Sequence, residues 1–151
     1  MLFFPHDYGE FLLQRVVFLV VLWYNSEENN HFLGRMVRCM VEKTYSMGLY
    51  GMEAFPVEVE ADLSQGLPAF ELVGLPDAAV KESRDRVRAA MKNCGFDFPV
   101  SRITMNLAPA DKKKEGPIYD LPLLISLLKA SHQLSCPTDD VIFLGEIFLT
   151  G

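Results

Sequence analysis

The stretch from Phe55 to Leu63 constrains this chain most. Val57, Val59, Ala61 and Leu63 alternate with Glu58, Glu60 and Asp62, and a period of two puts the apolar set on one side of a strand and the carboxylates on the other. Such a strand needs one covered face and tolerates water on the other, as in an antiparallel sheet packed on one side. With a rise near 3.3 Å per residue the carboxylates stand about 6 to 7 Å apart, too far to share one metal without help from another strand. They read as a solvated face, opposed by Arg102 on a neighbouring strand.

Thr44–Leu49 before this strand, Ala69–Val73 after it and Arg102–Leu107 further on have the same extended character, the last with Ile103, Met105 and Leu107 on one face. Gly51 with Met52 to Ala54 forms the turn between the first two. A helix is expected over 77–94. Asp77 supplies an acid at its start, and Val80, Ser83, Val87, Ala90, Met91 and Cys94 fall at steps of three and four as the buried stripe. Gly95 then ends it. On the other face Glu82 and Arg86 form an i, i+4 pair. Arg84, Arg88 and Lys92, at i, i+4 and i+8, are less well paired. They read either as a solvated face or as contacts for DNA phosphates or an acidic partner. No aromatic residue is interleaved among them, so base stacking is not implied.

The segment Asn106–Leu128, NLAPADKKKEGPIYDLPLLISLL, joins a strand end to a loop and a second helix. Pro109 stops the strand. Five of the six residues from Ala110 to Glu115 are charged, so that backbone is expected to stay in water, and Lys112, Lys113 and Lys114 are either solvated or a contact for DNA. Gly116 and Pro117 turn the chain back, and Asp120 offers a carboxylate to the open amides of a helix over 120–131. That helix is apolar all round except Ser126 and Lys129 and must be covered on most sides. Val141–Leu144 and Ile147–Leu149 read as two short strands about Gly145-Glu146.

With 151 residues, half of them apolar, the chain can bury the core of one domain. Its net charge is −6, but residues 77–115 hold nine Lys/Arg against six Asp/Glu, so an anionic partner would bind there. Cys39, Cys94 and Cys136 are odd in number and contain no CxxC pair, which indicates neither a disulfide framework nor a zinc site and fits a reducing cytoplasm. The first forty residues form an atypical N-terminal extension. Their nine-residue apolar run Val16–Tyr24 is too short for a membrane helix, and Asp7 and Glu10 before it do not suit a signal peptide. The segment is either an extra packed element or upstream sequence foreign to the natural protein. The second reading is preferred, with translation starting at Met36 or Met40.

KKEGPIYDLPLLISLL followed by FLGEIFLTG, together with GLPAFELVGLPDAAVKESRDRVRAAMKNCGFDFP and RITMNLAPAD, resembles the N-terminal domain of the ComM-type (YifB family) Mg chelatase-like ATPases. The resemblance runs from about Tyr45 to Gly151 with the motifs in order. The same region resembles the Lon peptidase domain, whose catalytic serine follows a Gly-Pro pair; here that position is Ile118. The resemblance implies a two-layer α/β (α+β) domain over 41–151, with a mixed β-sheet and helices on one side, like the Lon peptidase domain and the second domain of ribosomal proteins. It further implies an intact protein that is a hexameric AAA+ ATPase acting in DNA uptake, recombination and branch migration, binding ATP and Mg through a module lying beyond this chain. No GxxxxGK[ST] loop occurs in the sequence, so no cofactor, metal or catalytic residue is expected within it. The alternatives are a free-standing DNA- or protein-binding module and, least favoured, a Ser-Lys peptidase. Ending after Leu149 is expected to leave a sheet edge uncovered.

Overall fold

The computed structural model describes residues 22–23 and 42–149. In chain order it contains strands β1 (Leu22–Trp23), β2 (Glu42–Tyr50), β3 (Glu53–Ser64) and β4 (Ala69–Val73), helix α1 (Ala78–Asn93), strand β5 (Arg102–Ala108), a 3-10 turn at Pro117–Tyr119 leading directly into helix α2 (Asp120–Ala130), and strand β6 (Val141–Ile142). The strands form one sheet in the order β1-β6-β2-β3-β5-β4. It is mixed: β2 with β3, β3 with β5 and β1 with β6 run antiparallel, whereas β2 with β6 and β4 with β5 run parallel.

The alternation in β3 does what its period requires. Phe55, Val57, Val59 and Ala61 are buried, and they share the covered face with Ile103, Met105 and Leu107 of β5. Across the hairpin, Tyr50 faces Glu53, so the turn is only Gly51-Met52, with Gly51 at φ +61°, and β3 begins sooner than the sequence suggests. On the open face Glu58 pairs with Lys43 at 3.2 Å, and Glu60 accepts from Asn106 Nδ2 at 2.8 Å. Arg102 does not oppose these carboxylates. Its register partner on β3 is Ser64, and its guanidinium reaches sideways to Glu71 of β4 at 2.9 Å.

Both helices pack on the covered face. Val80, Ser83, Val87 and Met91 of α1 are buried, while Ala90 and Cys94, at the margin of the stripe, are only half-buried. Every residue of α2 from Asp120 to Leu128 is buried, as a helix apolar on all sides demands. Polar side chains tie it to the sheet and to the segment that follows it. Ser126 Oγ donates to Val59 O at 3.1 Å, Thr44 Oγ1 donates to Pro122 O at 3.1 Å, and Lys129 Nζ donates to Thr138 Oγ1 at 2.7 Å and lies 3.4 Å from Glu42.

Of the last two expected strands only part of the first forms. Val141–Ile142 pairs, but 147–149 is not a strand. The backbone from Phe143 to Ile147 instead crosses the start of α2, with Phe143 N donating to Tyr45 O at 2.8 Å, Gly145 N to Ile118 O at 2.9 Å, and Leu121 N to Gly145 O at 3.1 Å. In the N-terminal extension, Met36, Met40 and the apolar run lie outside the described residues apart from Leu22–Trp23, whose backbone pairs with Val141–Ile142. Among the described residues no helix is long and apolar enough to cross a membrane.

Candidate functional site

The cations singled out by the sequence lie on α1 and on the loop between β5 and α2, and Asp77 joins the two. Its Oδ1 accepts from Val80 N at 2.8 Å as the helix N-cap, and its Oδ2 accepts from Gly116 N at 3.1 Å. The backbones close the same junction: Lys114 N donates to Leu75 O at 3.1 Å and Asp77 N to Lys114 O at 3.0 Å. One aspartate thus holds the amide of a helix start and that of the distant Gly116 turn. Gly116, at φ +82°, adopts the left-handed backbone this turn needs.

These junction bonds divide the lysine run. Lys112 and Lys113 are exposed, the first 4.7 Å from the centre of the Phe55 ring and the second paired with Glu115 at 2.7 Å. Lys114, whose backbone is tied to Leu75 and Asp77, is fully buried. Its ammonium donates to Lys112 O at 2.8 Å and also to Pro109 O. Burial pushes its pKa down, with Asp111 opposing the shift. The loop therefore exposes two lysines, and the third braces it from inside.

On α1, Arg84, Arg88 and Lys92 are exposed. Arg84 pairs with Asp85 at 3.1 Å, and Arg88 lies 4.6 Å from the centre of the Phe98 ring. Lys81, one turn before Arg84, extends the same stripe.

Asp120 is not the cap of its own helix. Its backbone is already helical, and the residue at the cap position is Tyr119. The fully buried carboxylate faces α1, where it accepts from Arg86 Nε at 2.6 Å, from Arg86 Nη2 at 3.0 Å and from Ser83 Oγ. It also accepts from Ile147 N at 3.1 Å. The hydrogen bond to Asp120 holds the Arg86 pKa up against burial. Sequence reasoning matched Arg86 only with Glu82, which does lie 3.7 Å away. The signal for the stronger partner was Ser83, a polar residue within the apolar stripe of α1.

Among the described residues, the serines on and beside the helices hold structural hydrogen bonds. Ser83 donates to Asp120, Ser126 to carbonyls of the sheet, and Ser131 Oγ to Leu127 O at 2.8 Å. Ile118, at the Lon serine position, packs half-buried against the core. Among the described residues no group of three or more His, Cys, Asp or Glu could hold a metal ion.

An α+β layer with a mixed sheet, two helices on one face and a Gly-Pro turn into the second helix defines the class. The family model described as subunit ChlI of Mg-chelatase matches residues 59–151. YifB of Escherichia coli K12 is 52% identical over 102 residues, covering 67% of this chain and 20% of that protein. The competence protein ComM of Haemophilus influenzae is 49% identical over 108 residues, 71% of this chain and 21% of that protein. Rv2897c of Mycobacterium tuberculosis H37Rv is 44% identical over 110 residues, 72% of this chain and 22% of that protein. The chain belongs to the ChlI-type Mg-chelatase family and, within it, to the ComM/YifB kind. It spans about a fifth of the length of the curated relatives it matches.

Proposed function

We propose that this chain is the non-catalytic N-terminal domain of a ComM-type hexameric AAA+ ATPase that acts on DNA in uptake, recombination and branch migration in the cytoplasm. The observation that carries this reading is the match to ComM and YifB over about a fifth of their length by a sequence with no GxxxxGK[ST] loop. ATP and Mg are then bound by a module outside the matched segment, as the phosphate loop requires. Gly116 supports this, because the amide that a phosphate would need at this turn is engaged with Asp77. The segment supplies no hydrolytic chemistry. With Ile118 at the Lon serine position, peptidase action has no nucleophile there.

Within that machine the domain serves as a contact surface. Arg84, Arg88, Lys92, Lys112 and Lys113 are its exposed cations for DNA or a partner protein, and Lys114, Gly116, Pro117 and Asp120 build the loop and helix junction behind the surface. In the intact protein, deleting this domain is expected to leave DNA-independent ATP hydrolysis in place and to slow branch migration. A domain-deleted protein that migrates branches at the full rate would overturn the reading.

A further inference from the structure

The outer edge of β4 has no neighbouring strand among the described residues. Ala69 N donates to Ser101 O, toward β5, so by strand alternation the backbone groups of Ala69, Glu71 and Val73 face β5 and those of Phe70 and Leu72 face outward. Beside this edge runs a groove of about 390 Å³ lined by Phe70, Glu71, Leu72, Val73, Lys81 and Arg84. Phe70 and Leu72 supply its apolar part, and its far wall is the basic stripe of α1. Arg88 continues that wall, held against Phe98.

We propose that the β4 edge and the Lys81–Arg84 flank of α1 bind an extended acidic peptide segment of another protein as an added strand. The inference rests on the reading above only in taking the α1 cations as contact residues, and it names their partner. An incoming strand would meet the outward N–H and C=O groups of Phe70 and Leu72, and every second side chain would project toward α1. Acidic side chains at those positions meet Lys81 and Arg84.

The wall remains available to them. By strand alternation the Glu71 side chain leaves the sheet on the face opposite Phe70 and Leu72, where it lies 2.9 Å from Arg102 and away from α1. Arg84 and Asp85 are 51% and 69% exposed, so their pairing contributes little and gives way to an incoming carboxylate. A nucleic acid suits the groove less well. Phosphates bring acceptors only, which leaves the outward carbonyls without donors, and the Phe98 ring is already engaged by Arg88.

The test uses the full chain and a fluorescein-labelled peptide, Glu-Val-Glu-Val-Glu-Val. Saturable anisotropy is expected, with slowed hydrogen exchange at the amides of Phe70 and Leu72. The K81E/R84E double variant, its fold checked by circular dichroism, should bind about tenfold more weakly or worse. The same peptide N-methylated at alternate residues keeps its charge and should not bind. Binding indifferent to N-methylation, or displacement by oligothymidylate at equal concentration, would make this an anion surface and overturn the proposal. So would no binding at all, or a concentration-dependent dimer that protects Phe70 and Leu72 without peptide. None of these outcomes bears on branch migration by the domain-deleted ATPase, so the two readings fail separately.

Discussion

Gly74 sits where β4 ends and the approach to α1 begins, at φ +96°, and a Cβ added there would collide with the carbonyl oxygen of Leu107. Both the backbone conformation and the space exclude a side chain. Gly74→Ala is therefore expected to cost about 2 kcal/mol or more, read as a lower urea midpoint with an unchanged slope. Tyr119, immediately before α2, is buried, and burial, with Asp77 and Glu115 adding to it, raises its pKa from 10.0 to about 12. Between those values the folded chain keeps a proton that the unfolded chain has lost, so stability should fall as pH rises from 10 toward 12. Tyr119→Phe should remove that share of the alkaline slope, and the phenolate absorbance of the native protein should report the late titration. Lys114 marks what sequence could not convey at this scale. Three adjacent lysines read alike, and only the pairing of the Lys114 backbone with Leu75 and Asp77 turns one of them inward.

At the scale of elements, the strands and helices were legible because each carries its own period. The alternation in β3 and β5 and the three-and-four spacing in α1 are local, and burial followed them closely. The junctions were not local. Asp120 lies 34 residues from Arg86 and 37 from Ser83, so its position before an apolar run suggested a cap, when its carboxylate in fact clamps α1 to α2 and secures Ile147. That use of the Ile147 amide also accounts for the missing strand at 147–149, since a segment anchored across a helix start cannot lie in the sheet. Asp120→Ala would strand a mostly buried guanidinium, and removing one member of such a pair typically costs about 3 to 5 kcal/mol. Chemical denaturation of the variant beside the parent chain checks this. A loss below about 1 kcal/mol would mean that water takes over the role of the carboxylate.

For the molecule as a whole, composition gave a net charge of −6 that concealed a basic region, and the fold sorts that region into two exposed parts and a buried brace. The same sorting refines the deletion experiment. If Arg84, Arg88, Lys92, Lys112 and Lys113 neutralise phosphates, removing the domain should flatten the salt dependence of DNA binding by about 0.9 in the logarithmic slope for each phosphate that regains its counterions. Family membership was legible in the motifs, whereas the open edge of β4 was not, because it arises only from a strand order that leaves that side without a neighbour among the described residues.

A helix greasy on every side, such as α2, has no preferred orientation of its own, because hydrophobic contact is non-directional and a rolled or shifted helix would bury nearly the same area. Thr44, Ser126 and Lys129 reach from helix to sheet or from sheet to helix at three separate places. Each loses its hydrogen bond if the helix rolls. Together with the clamp of Asp120 on α1, these few polar atoms act as indexing pins that decide which of many similar packings the protein adopts.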